Sequence, residues 1–167
     1  MKYWVISDTH FSHELMKEHR PADYEARIAK SLLSLQEGDI LFHLGDICIG
    51  NDEENHKRYI QPIKARKVLV RGNHDKKSDD WYYSHGWDAV CHTMTLERWG
   101  QRILLSHIPR PDLGYFTVNV HGHLHNRLHR NEAVGPKNVL ISLEQQGYNA
   151  QSLESVISTY ARDFPRH

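Results

Sequence analysis

A chain of 167 residues, 39% hydrophobic and 25% charged, can bury one full core and is predicted to form a single domain over residues 1–167. Its formal net charge of +0 leaves no overall footprint for nucleic acid or for an anionic membrane surface, and it holds no apolar run long enough to span a bilayer. Met1 to Ser7 is too short for a signal-peptide core, and Cys48 and Cys91 form no disulfide pattern, so a reducing, cytoplasmic setting is expected.

Histidine is the compositional outlier, with 14 copies, many at the ends of apolar runs. Tyr3 to Ile6 reads as a strand that breaks at Ser7, followed by Asp8-Thr9-His10. In an extended segment residues i and i+2 point the same way, so Asp8 and His10 can face one ion together. Taken alone they read as well as a turn aspartate and a surface histidine. Phe11 to Pro21 is polar and irregular, with His13, His19 and Arg20. Asp23 is placed to cap a helix running to Leu35, with Tyr24, Ile28, Leu32 and Leu35 on one face and Gly38 beyond its end.

Ile40 to Leu44 is a short apolar run without helical spacing, which marks a buried strand. It delivers Gly45-Asp46 to the carboxyl end of a sheet, where ligand crevices form. Asn51 to Gln61 is predicted to be helical and stopped by Pro62. Val68 to Val70 is a further buried strand running into Arg71-Gly72-Asn73-His74-Asp75. An amide oxygen there can ligate a metal and the adjacent imidazole can act as an acid.

Ser78 to Ser84 reads as a short helix or turn whose Trp81, Tyr82 and Tyr83 serve as core. Val90 to Leu96 alternates as one strand, Trp99-Gly100 turns the chain, and Arg102 to Ser106 returns to end in His107. Phe116, Val118 and Val120 alternate on a strand ending in His121-Gly122-His123-Leu124-His125. His121 and His123 lie two apart with glycine between, so both imidazoles can reach neighbouring ions. His125, Arg127 and His129 receive no role. Val139 to Leu143 is a last strand, and Ser152 starts a terminal helix with Leu153, Val156, Ile157 and Tyr160 on one face.

In chain order the signals are Asp8-x-His10, Gly45-Asp46, Gly72-Asn73-His74-Asp75, His107, and His121-Gly122-His123, each after an apolar run. This order resembles the calcineurin-like metallophosphoesterase superfamily, over Tyr3 to about Ile157. It is most similar to small, cap-free bacterial and phage members, through Ser7-Asp8-Thr9-His10-Phe11, Arg20-Pro21 and the ending Asn138 to Glu144. The resemblance implies a four-layer αββα metallophosphoesterase sandwich with its site at the strand ends. It implies one divalent ion held by Asp8, His10, Asp46 and His123, and a second by Asp46, Asn73, His107 and His121, with Asp46 shared. His74 would stand beside the phosphate as acid or transition-state stabiliser, with Asn73 and Asp46 completing the catalytic set and Asp75 orienting the loop. Manganese is the first choice of metal, and iron, nickel, cobalt or zinc fit a thiolate-free donor set.

The implied activity is hydrolysis of small phosphodiesters or phosphomonoesters, nucleotides among them, by a hydroxide shared between the ions. The alternatives are a nuclease and an inactive metal-bound scaffold that binds a protein. Neutral net charge speaks against a nucleic-acid partner. Protein phosphatases of the superfamily carry Gly-Asp-x-x-Asp-Arg, whereas Asp46 is followed by Ile47, Cys48, Ile49 and Gly50, which argues against a phosphoprotein substrate. The short chain leaves little room for a specificity cap. Arg20 and Arg110 are candidates for gripping a phosphate, or else surface ion pairs.

Overall fold

The computed structural model describes residues 1–163, so the predicted domain limit at 167 lies outside the described residues. Two sheets form. The first joins β4 (Ala89–Cys91), β3 (Arg66–Val70), β2 (Ile40–His43), β1 (Tyr3–Ile6) and β9 (Gln151–Ser152) in that order; all are parallel except β9, which runs antiparallel to β1. The second joins β5 (Thr93–Arg98), β6 (Gln101–Ser106), β7 (Val118–His121) and β8 (Asn138–Leu140), opening with a β5–β6 hairpin and continuing parallel.

The pleat decides which side chains meet. Val5, Phe42, Val68 and Val70 face Ile103, Leu105, Val118 and Val120 in a core between the sheets. On the other face of the first sheet, Ile6, Leu41 and Leu69 pack against α2 (Tyr24–Leu33) through Ile28 and Leu32, and against Tyr82 of α4 (Asp79–Ser84). Each such fully buried aliphatic side chain contributes about 1.5–3 kcal/mol. α5 (Leu128–Val134) packs on β8 beyond the second sheet, completing the helix–sheet–sheet–helix layering. α6 (Leu153–Asp163) inserts Leu153, Ile157 and Tyr160 into the inter-sheet core.

Expected elements differ from what forms in several places, and the last strand, expected over Val139 to Leu143, stops at Leu140. The alternating run Val90 to Leu96 is two strands in two sheets, since the chain crosses from one sheet to the other at His92. The helix expected over Asn51 to Gln61 begins as α3 (Asp52–Asn55) and widens to a π-helical turn over His56–Ile60 that buries Tyr59 and Ile60. Polar Phe11 to Pro21 holds a short helix, α1 (Glu14–Lys17). Asp23 does precede α2, but its carboxylate accepts from Arg27 at 2.8 Å rather than capping the backbone.

His43, at the end of β2, is wholly buried; its Nδ1 accepts from the Gly45 N–H at 3.2 Å and its Nε2 lies 2.9 Å from Thr9 Oγ1. Burial pushes its pKa down from 6.5 to about 3. The native state therefore holds His43 neutral while the unfolded chain takes a proton below pH 6.5, so its contribution is full above that pH and is lost as pH falls toward 3. The slope is about 1.4 kcal/mol per pH unit. Urea unfolding of metal-free protein between pH 6 and 4 should show a shallower pH dependence for His43→Gln than for the parent; equal slopes would contradict this (about one proton fewer taken up on unfolding).

Candidate metal centre

The parallel register places the carboxyl ends of β1, β2 and β3 side by side, with Ile6 beside His43 and His43 beside Leu69, and Ser106 of β6 beside His121 of β7. The loops that follow converge at one edge of the sandwich. Their ligand-type residues hold an unusual backbone: Asp8, His10, Asp46, His123 and His125 all lie at positive φ, at 54°, 46°, 57°, 68° and 50°. Left-handed φ costs a non-glycine residue free energy and collects at functional sites. Asp8 and His10 are therefore turned to a common side by two left-handed kinks, not by an extended strand.

Two groups of donors result. Asp8, His10 and His125 offer ligand atoms all within 4.8 Å of one another, and Asp46, His107 and His123 do the same. In the first, His10 Nε2 is 3.8 Å and His125 Nε2 3.8 Å from Asp8 Oδ1. Asp8 Oδ1 and His10 Nε2 are buried with no hydrogen-bond partner, while Asp8 Oδ2 accepts from Ser7 Oγ at 2.6 Å and the His123 N–H at 2.9 Å. An orphaned carboxylate oxygen facing an orphaned imidazole nitrogen suits a cation site. In the second, His107 Nε2 is 3.4 Å from Asp46 Oδ2, 3.0 Å from Asn73 Oδ1 and 3.2 Å from His123 Nδ1. Asp46 Oδ2 stands between the groups, 3.7 Å from His10 Nε2 on the opposite side.

The surroundings aim these groups. His107 Nδ1 is 2.7 Å from the Leu44 carbonyl, which leaves Nε2 for the site, and His125 Nδ1 faces Glu144 Oε1 at 3.6 Å, which leaves its Nε2 toward Asp8. The Asp75 carboxylate accepts from the N–H groups of Asp46, Ile47 and Gly72 at 2.8, 3.1 and 2.8 Å and clamps the β2 and β3 loops together. Gly72 and Gly122 sit where no Cβ fits, the first against the Asp46 carboxylate and the second against Ser7 Oγ and the Asp8 carboxylate. His74 donates its N–H to Asp46 Oδ1 at 2.9 Å, and its ring, 46% exposed, stands with Nε2 4.0 Å from Asp46 Oδ2.

Burial works to raise the Asp46 carboxyl, but His107 and the His74 N–H outweigh it and bring it to about 2. Burial likewise opposes charge on His107, yet Asp46 and Asp8 carry it up to about 9. Burial holds His10 neutral, with its pKa at about 3. A cation entering beside His107 must replace that residue's proton, so ion binding releases a proton and tightens as pH rises toward 9.

Of the residues expected from the sequence, Asp8, His10, Asp46, Asn73, His74, His107 and His123 meet at this edge. His121 does not: its Nδ1 is 2.8 Å from the Gly122 carbonyl and its Nε2 2.8 Å from Asn131 Oδ1 of α5. It belongs to β7, and the alternation that turns Val118 and Val120 inward turns His121 to the outer face. His125 takes the place beside Asp8 and His10 that the sequence reading gave to His123, and His123 stands instead with Asp46 and His107. The signal for His125 was present, because His123-Leu124-His125 repeats the i, i+2 spacing of Asp8 and His10.

Arg20 is also re-read. It is buried, donates from Nε and NH2 to Glu144 Oε1 at 2.9 and 2.7 Å, and donates to the carbonyls of Thr9 and Asp8 at 3.1 and 2.9 Å. It braces the left-handed Asp8 loop and Glu144 from below and offers nothing to a substrate phosphate. Glu144→Gln should weaken binding of one ion about 10–100-fold while leaving the fold intact, as read by metal titration calorimetry. An unchanged titration would show that Glu144 does not orient His125.

A family model described as calcineurin-like phosphoesterase matches residues 1–152. The chain belongs to the calcineurin-like phosphoesterase family. Among solved structures, this calcineurin-like phosphoesterase is similar to the protein of unknown function AQ665 from Aquifex aeolicus, at 26% identity and a TM-score of 0.74, over 95% of this chain and 98% of that one. A novel archaeal phosphodiesterase matches at 17% identity and a TM-score of 0.49, over 75% of this chain and 74% of that one. Nuclease MPE from Pseudomonas putida matches at 24% identity and a TM-score of 0.48, over 74% of this chain and 61% of that one. No curated protein matches the chain significantly. No helix among the described residues is long and apolar enough to cross a membrane.

Proposed function

We propose that this phosphoesterase is a dinuclear-metal-dependent hydrolase of small phosphodiesters or phosphomonoesters. Asp8, His10, Asp46 and His125 hold the first ion, and Asp46, Asn73, His107 and His123 hold the second. The observation that carries this reading is the position of Asp46 Oδ2, 3.7 Å from His10 Nε2 and 3.4 Å from His107 Nε2. One carboxylate between two cations offsets their mutual repulsion. The donor set is His, Asp and Asn without thiolate, which suits manganese first and iron, nickel, cobalt or zinc as well.

When bound, the ions supply Lewis acidity toward the phosphoryl oxygens and acidify the attacking water. The chain's own residues do the rest. Asp75 and the left-handed loops fix the donors before any ion or substrate arrives, so little reorganisation is left to the reaction. His74 stands at the open side of the site and can donate a proton to the departing ester oxygen. An alkoxide leaving group needs that proton more than a stabilised one does, which favours diesters of ordinary alcohols as substrates.

The test is hydrolysis of bis-(p-nitrophenyl) phosphate and p-nitrophenyl phosphate with added Mn²⁺. Turnover of either is expected. No turnover across Mn²⁺, Ni²⁺, Co²⁺, Fe²⁺ and Zn²⁺ would overturn the reading and favour an inactive scaffold.

A further inference from the structure

A cavity of about 230 Å³ opens beside the Asn73–His107 side of the metal centre. Its wall includes Arg71, Asn73, His92, Ser106, His107 and Arg110, and no carboxylate lines it. A chain of zero formal net charge therefore carries, next to its candidate catalytic groups, a hollow lined by two arginines and no carboxylate.

Arg110 is set into that hollow by a purpose-built backbone. Its N–H donates to both Asn119 Oδ1 at 3.0 Å and Asn138 Oδ1 at 3.1 Å, and its carbonyl accepts from Asn138 Nδ2 at 3.1 Å. Asn119 is 0% and Asn138 5% exposed, so two buried amides from adjacent strands are committed to one surface loop. Pro109 and Pro111 flank the residue, and a following proline restricts Arg110 to extended backbone. No carboxylate among the described residues pairs with the Arg110 guanidinium. The other arginine of the wall is differently employed: Arg71 pairs with Asp79 at 3.0 Å, donates to the Lys77 carbonyl and lies over the Tyr82 ring. A rigid perch and a guanidinium fork with no carboxylate partner among the described residues, in a hollow that His92 also lines, suit a tetrahedral oxyanion.

We propose that Arg110 and His92 form an anion subsite that holds a second phosphate, borne on the group flanking the scissile phosphoester. This rests on the metal-centre reading above and narrows its substrates to phosphate esters carrying a further phosphate. Polynucleotide ends and small bisphosphorylated nucleotides share that chemistry. The neutral overall charge does not oppose it, because one local fork, not a long basic face, does the recognition.

Two readouts test it. The first compares kcat/KM for the dinucleotides pTpT and TpTp with that for TpT, each with Mn²⁺, in the parent, Arg110→Ala and Arg110→Lys. The parent should prefer one phosphate-bearing dinucleotide over TpT by about tenfold, Arg110→Ala should remove that preference and Arg110→Lys should keep part of it. The second measures binding of adenosine 3′,5′-bisphosphate to the purified protein by calorimetry, with about tenfold weakening in Arg110→Ala. A short single strand that displaces the bisphosphate more tightly than the bisphosphate binds would assign the subsite to polynucleotide ends; weaker displacement would assign it to small nucleotides. Unchanged preference and unchanged bisphosphate affinity in Arg110→Ala would overturn the subsite. Bisphosphate binding that depends on Arg110 in a protein that hydrolyses no ester would uphold the subsite and refute the hydrolase.

Discussion

Asp46→Asn is expected to lower hydrolysis by at least about a thousandfold and to lower the bound metal at the same time. The two losses belong together because, in the proposed site, one oxygen faces both donor groups, 3.7 Å from His10 Nε2 and 3.4 Å from His107 Nε2. Asn keeps the shape and tolerates the left-handed backbone that Asp46 adopts at φ 57°. Its N–H still has the Asp75 carboxylate as partner. The variant should therefore fold, and the comparison isolates charge. Elemental analysis beside kcat/KM on the same preparation reads the outcome. Full metal content with full activity would remove Asp46 from the centre of the site.

His74→Ala is expected to lower kcat about 10²- to 10⁴-fold with metal content unchanged. Neither ring nitrogen of His74 belongs to the two donor groups, and its N–H, which holds Asp46 Oδ1, survives the substitution. The size of the loss should follow the leaving group. A p-nitrophenolate departs without help, so bis-(p-nitrophenyl) phosphate should suffer least and a dinucleotide most. An equal loss on both would show that His74 acts on bound phosphate and not on the departing oxygen.

Much of the fold was legible because its strands are short and almost wholly apolar. Tyr3–Ile6 forms as the sequence implies, and the helix faces with Ile28 and Leu32, and with Leu153 and Ile157, pack as their spacing demands. The break at His92 was not legible, because Val90, His92, Met94 and Leu96 share one parity in the sequence, whereas in the fold Val90 packs on the α2 side of the first sheet and Met94 and Leu96 face the inter-sheet core. Within the site, the polar groups just past strand ends were readable from local order alone. The glycine between His121 and His123 did not reveal that the fold groups His125, and not His121, with Asp8 and His10. Gly122 is there because a Cβ would collide with Ser7 and Asp8, and its presence says nothing of which imidazoles face inward. The alternation of Val118 and Val120 held the answer. Arg20 and Glu144 could not have been paired by any local rule, since 124 residues separate them.

The most direct measurement is anomalous diffraction from crystals grown with Mn²⁺. Two peaks should flank the Asp46 carboxylate, one in contact with His125 and the other with His107 and His123, and neither should touch His121. A single peak, or a pair with no carboxylate in common, would contradict the shared-aspartate centre on which the proposed hydrolysis depends.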